Sequence, residues 1–151
     1  MSLTKVSDAL LDRRIGATAY RSGTQTGISN ATATQIQLNA ESYDPNGDFD
    51  STTGYDYTVP VAGKYLVCGA IYFIGPGDGN LNRTMIYVDG SLVKQEWSRG
   101  GSANDIIPNI SCILDLSASD SVELWVEHVK GSDLTVSAGA DRTWMSIQRI
   151  A

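Results

Sequence analysis

The chain reads as an all-β domain, a sandwich or barrel of short antiparallel strands. Residues 53–73, TGYDYTVPVAGKYLVCGAIYF, hold two apolar runs separated by Ala62-Gly63, which reads as two strands and the tight turn between them. The 15 glycines and 7 tyrosines are spread over 151 residues without a leucine-rich helical repeat. Many short strands with turn residues between them are the pattern of a sandwich or barrel. At this length one domain is the natural count.

The elements follow in order. Ser7 is placed to cap a short helix from Asp8 to Arg14, with Asp8 in the first turn and Arg13-Arg14 in the last, as the helix dipole favours. Gly16 would end it. Val6, Leu10 and Leu11 fall on one side, and so short a helix needs something to pack against. It either folds back on its own domain or orders on a neighbouring protein. Further on, Tyr55, Tyr57, Val59 and Val61 alternate with Gly54, Asp56, Thr58 and Pro60, giving a strand with one buried face. Pro60 confines that strand to an edge or an end. From Tyr65 to Ile74 both faces are apolar or small: Tyr65, Val67, Gly69, Ile71 and Phe73 on one, Leu66, Cys68, Ala70, Tyr72 and Ile74 on the other. A strand apolar on both faces needs cover on both. In so short a chain the second cover is a second copy, with Leu66, Tyr72 and Ile74 as its contacts.

Three polar connections are candidates for a ligand. Asp44, Asn46, Asp48 and Asp50 alternate around Gly47 and echo the first half of a calcium loop, without its closing bidentate Glu. The other reading is a turn built on Pro45-Asn46-Gly47, with no cofactor at all. Residues 75–82 hold glycines and a proline that forbid a strand. Residues 97–105 read as a third loop, carrying Trp97 and Arg99. With Tyr43, these side chains are suited to stacking on a sugar ring or pairing with its acidic groups. Cys68 and Cys112 lie in strands and read as buried free thiols; a disulfide would need adjacent strands in matched register. His128, the one histidine, has no partner set for catalysis or a metal and reads as structural.

The stretch around residue 60 also carries a resemblance. Thr53-Gly54, Tyr57, Gly63 and Tyr65 have the spacing found in the globular heads of complement component one, subcomponent q. Those heads share a jelly-roll fold with tumour necrosis factor. Ala19-Tyr20-Arg21-Ser22 looks like that family's first strand, Thr34–Asn39 like its next, and Tyr43-Asp44 like the pair before its loop. Met85–Gly90 is similar to its strand ending in an Asn-Gly turn. Leu114-Asp115-Leu116 with Asp120 and Val122 is similar to its Leu-x-x-Gly-Asp-x-Val segment, with Ser119 in place of the glycine. Trp144–Ile150 stands where the last strand belongs, without the usual Phe-x-Gly-x-Leu. The resemblance covers about residues 17–151 and implies an antiparallel jelly-roll β-sandwich that assembles as a homotrimer, with Leu66, Tyr72 and Ile74 near the threefold axis. Residues 1–16 are then an N-terminal arm.

Ser2–Ser7 resembles the opening of tailed-phage tail-fibre and tailspike proteins. That resemblance implies a virion protein, with Leu3, Val6, Leu10 and Leu11 anchoring the arm on a capsid or tail protein. The formal net charge of -6 argues against a nucleic-acid surface. No run reaches the ~20 apolar residues of a membrane span, no apolar leader is seen at the N-terminus, and no collagen-type Gly-X-Y stalk precedes the domain. The expected protein is therefore non-enzymatic: a trimeric knob of a tailed-phage virion, assembled in the bacterial cytoplasm, serving as capsid decoration or as a short head or tail fibre. The alternatives are the receptor-binding tip of a fibre that reads host-surface glycans, and a soluble bacterial carbohydrate-binding module.

Overall fold

The computed structural model describes residues 15–101 and 105–151. The strands run in chain order as β1 (Gly16–Tyr20), β2 (Gln25–Ile28), β3 (Thr34–Gln35), β4 (Ala40–Tyr43), β5 (Phe49–Asp50), β6 (Asp56–Thr58), β7 (Gly63–Ala70), β8 (Phe73–Ile74), β9 (Leu81–Val88), β10 (Ser91–Arg99), β11 (Asn109–Leu116), β12 (Ser121–His128), β13 (Leu134–Val136) and β14 (Trp144–Arg149). One sheet has the order β11-β7-β14-β1-β4; the other has the order β10-β9-β12-β6-β5, with β3 also on β12. All pairs are antiparallel, and β2, β13 and β8 form a third, small sheet. Apart from the β5–β6 and β9–β10 pairs, successive strands pass from sheet to sheet, which makes the sandwich a jelly roll.

Alternation explains the core. In β7, Tyr65 and Val67 are buried; in β14, Met145 and Ile147; in β12, Val122, Leu124 and Val126. These inward rows meet between the sheets in one cluster with Ala17, Ala19, Tyr57 and Ile86. Ile15 already belongs to that cluster, so the sandwich begins before β1, and Gly16 is the first residue of that strand. The helix expected over residues 8–14 and the anchors Leu3, Val6, Leu10 and Leu11 lie outside the described residues.

Two expectations about residues 53–74 are corrected. β6 and β7 are not a hairpin: they lie in opposite sheets, and the rings of Tyr57 and Tyr65 face each other across the interior at 6.3 Å between centroids. Alternation tells which side chains go inward, and it does not tell which sheet the strand joins. Tyr55 adopts φ 53 and Val61 is exposed, so the buried alternation is confined to Tyr57 and Val59. The two-faced run also breaks. β7 stops at Ala70, the Ile71 N–H turns to the Pro108 carbonyl (3.1 Å), and Phe73 pairs with Val136 in the small sheet.

The turns follow their chemistry. Asp89 and Gly90 both have positive φ, 49 and 70, the signature of a two-residue hairpin turn that an Asp-Gly pair favours. Ser119 takes φ 75, the left-handed region where glycine is the default. Cys68 and Cys112 are free. Cys68 pairs with Ser111, and Cys112 with buried Val67, so the two thiols sit on adjacent strands and point to opposite faces of the sheet. Burial pushes the Cys112 thiol up. His128 is buried; its Nε2 donates to the Ile28 carbonyl at 2.7 Å and its Nδ1 accepts the Lys130 N–H at 3.3 Å.

Candidate assembly face and loop-bearing ends

The outward face of the five-stranded sheet is the most distinctive surface. Register fixes its rows. Ala40, Tyr20, Trp144, Ala70 and Asn109 share one row; Tyr43, Thr18, Ser146, Cys68 and Ser111 the next; Gly16, Gln148, Leu66 and Ile113 the third. None of these residues is charged. The Lys64–Asp115 pair appears only at the bottom edge. Ile113 is 58% exposed and Leu66 39%, and they sit directly opposite each other on adjacent strands. Side chains so close across a sheet form a continuous patch. The opposite sheet is different: its outer face carries Asp56, Arg83, Glu123 and Glu127, with Arg83 ion-paired to Glu127. At the edge where the two sheets part, residues 94–98 of β10 and 108–112 around the start of β11 border an open groove of about 630 Å³.

The expected copy contacts fall partly on that face. Leu66 lies within it. Tyr72 lies past the end of β7, where its hydroxyl donates to Asp105 (2.9 Å) and Arg142 stands 5.3 Å over its ring; the bond to Asp105 pushes the phenol's pKa up. Ile74 is exposed in β8 of the small sheet. Ile113 was not anticipated, because its strand neighbours Asn109, Ser111 and Asp115 are polar. Only the register with Leu66 makes it part of a patch.

The two ends of the sandwich are unlike. At one, the Ile15 carbonyl accepts the Arg149 N–H at 2.9 Å and the Ala151 carbonyl accepts the Lys64 N–H at 2.8 Å. The Asp89-Gly90 turn, the 117–120 turn and the 44–48 loop also lie there, since the Thr58 N–H donates to the Asp48 carbonyl at 2.8 Å. At the other end, residues 75–80 are locked against Gly100 and Asp105. The Gly79 N–H donates to Gly100 and the Gly100 N–H to Asn80, both at 2.9 Å. A Cβ on Gly100 would stand 2.1 Å from the Gly77 carbonyl oxygen, so only glycine allows that approach. Asp105 also accepts the Gly75 N–H at 2.8 Å.

The three polar segments thus do not gather at one end, and the Tyr43, Trp97 and Arg99 set does not form one site. Tyr43 is on the β4 edge of one sheet. Trp97 and Arg99 belong to β10, a strand and not a loop, at the edge of the other. The guanidinium of Arg99 donates to the Gly79 carbonyl at 2.9 Å, and Arg83 stands 4.7 Å over the Trp97 ring. The acidic alternation resolves into two successive turns. Asp44 accepts the N–H groups of Gly47, Asp48 and Phe49 at 2.9–3.1 Å. Asp50 accepts those of Thr52, Thr53 and Gly54 and both threonine hydroxyls. These bonds, the Thr53 hydroxyl's first, hold the Asp50 carboxyl well below the usual carboxylate range, whereas burial raises Asp48. Among the described residues, no three His, Cys, Asp or Glu side chains are grouped to hold a metal ion.

No family model and no curated protein matches the sequence. Solved structures do match in shape. Eiger TNF from S. frugiperda is 15% identical, with 91% of this chain and 92% of that chain covered and a TM-score of 0.68. The globular domain of zebrafish complement 1qA is 17% identical, with 90% and 97% covered and a TM-score of 0.63. Murine APRIL is 8% identical, with 89% and 98% covered and a TM-score of 0.66. At such identities the likeness is one of fold: the chain is an all-β, antiparallel jelly roll with the architecture of these tumour-necrosis-factor and complement-type heads.

Proposed function

We propose that the protein is a non-enzymatic, homotrimeric knob of a tailed-phage particle, a capsid decoration or short fibre mounted by its N-terminal arm. The observation that carries this reading is the uncharged outward face of the five-stranded sheet. A chain with a net charge of -6 and 28 charged residues keeps charge off this face except for the Lys64–Asp115 pair at its edge, and exposed Leu66 and Ile113 at its lower row form an apolar patch of the kind that marks an interaction site. A second copy supplies matching cover, and three copies close a ring. The knob has no catalytic work in this reading: its one histidine is committed to two backbone groups.

The arm reading gains from the polarity of the sandwich. The chain joins the domain at the Ile15 end, opposite the 75–80 loop that is tied to Gly100 and Asp105. A knob mounted through residues 1–14 would therefore turn that loop away from the particle. Leu3, Val6, Leu10 and Leu11 are the arm's anchors on a capsid or tail protein, and the Asp44–Asp50 turns need no calcium in this role. Removing residues 1–14 tests it. The shortened protein is expected to keep its assembly state and thermal midpoint and to be absent from purified particles. Failure to fold would return the arm to the jelly roll, and normal incorporation would remove its anchoring role.

A further inference from the structure

We propose that the outer face of β9, β10 and β12 is a binding platform for a neutral oligosaccharide, independent of where the knob is mounted. Met85 is fully buried yet stands apart from the interior cluster. It pairs with Gln95 on one side and Trp125 on the other, so it points outward and is covered by surface side chains. Tyr87 and Trp125 stack beside it, their centroids 4.6 Å apart and their planes 22° from parallel. Trp97 completes the group at the sheet edge, 47% exposed.

The aromatic groups are held in place before any ligand arrives. Arg83 lies over Trp97 at 4.7 Å; Gln95 Oε1 accepts from it at 3.0 Å, and Glu127 pairs with it. The indole N–H of Trp125 donates to Glu123. Fixed rings lose little entropy on binding, and a ring has an apolar face for the C–H side of a pyranose. Glu123 and Glu127 retain lone pairs that accept sugar hydroxyls. Trp97 and Trp125 stand two strands and one row apart, roughly 12 Å by strand spacing and rise, which spans more than one sugar ring. Asp56, Glu123 and Glu127 outnumber Arg83 here, so an uncharged glycan is favoured over an anionic one.

The test uses the full-length protein with soluble dextran, mannan and a β-glucan, and polygalacturonate as the anionic counterpart. The chain has 3 tryptophans, so the indole N–H resonances resolve the two sheets. A neutral polymer should shift Trp97 and Trp125 and leave Trp144 unmoved. Trp97→Ala should weaken that binding about tenfold or more, with Trp97→Phe recovering most of it, as for an aromatic anchor. The platform would be overturned by no shift with any neutral polymer, by wild-type affinity in Trp97→Ala, or by binding to polygalacturonate alone. A Trp97→Ala protein that dissociates would assign the ring to the contact between copies and overturn it equally.

Discussion

Single residues decide how closely the two sheets approach. Gly69 pairs with Met145 and Ile110 in adjacent strands, and a Cβ there would stand 2.9 Å from Leu124 Cδ1 on the opposite sheet. Its φ is ordinary, so space and not backbone freedom demands glycine. Gly69→Ala is expected to cost about 1–3 kcal/mol by overpacking, and Leu124→Ala about 2–5 kcal/mol by leaving a cavity. Together they should cost less than the sum, by about 0.5–3 kcal/mol, because the new methyl fills part of the hole. Chemical denaturation at one fixed chain concentration measures all three. Additive costs would mean that something other than Leu124 excludes the methyl. The sequence shows Gly69 in the inward row of a strand but carries no sign of its partner, which comes from a strand more than fifty residues away.

At the scale of the element, what the sequence shows is the chemistry of a segment more than its shape. The 44–54 region was legible as oxygen-rich turns. Its division into two turns, each closed by one aspartate, was not, because the same spacing serves a cation or backbone N–H groups. A pH profile reports the second use. The Asp50 pKa lies below its unfolded value near 3.9,. Its ionised form therefore favours the folded state fully above about pH 5, and that contribution fades as the pH falls further. Asp50→Asn should lower the thermal midpoint at pH 7, and the gap to wild type should narrow progressively below about pH 4. A gap that is constant with pH would show that the charge is immaterial to the turn. Asp48, raised by burial, should show the opposite trend when made Asn. β10 illustrates the same limit. Gly100 and Gly101 mark a loop correctly, yet strand pairing with β9 carries Trp97, Ser98 and Arg99, and only that pairing sets Trp97 above Arg83.

The whole molecule was legible in outline because local and global signals agree: the alternating runs, the Asp-Gly turn and the resemblance all lead to one jelly roll. The candidate assembly face was half legible. The two-faced run 65–74 signalled a second covering, and Leu66, Cys68 and Ala70 do line the uncharged face. Tyr72 and Ile74 do not, since the chain leaves that sheet after Ala70. If this face joins three copies, it should bury on the order of 2,000 Å² or more, and light scattering at micromolar concentration should give about three times the 16.2 kDa chain. Leu66→Glu with Ile113→Glu places two desolvated charges at the centre of the contact, where no partner charge is available. The double variant should run as a folded single chain. Thr58→Glu, at an exposed position in β6 of the other sheet, adds charge without touching the face and should leave the assembly intact. A wild-type protein that scatters as a single chain ends the trimer reading. A double variant that remains trimeric moves the contact off this face, towards the groove between β10 and β11.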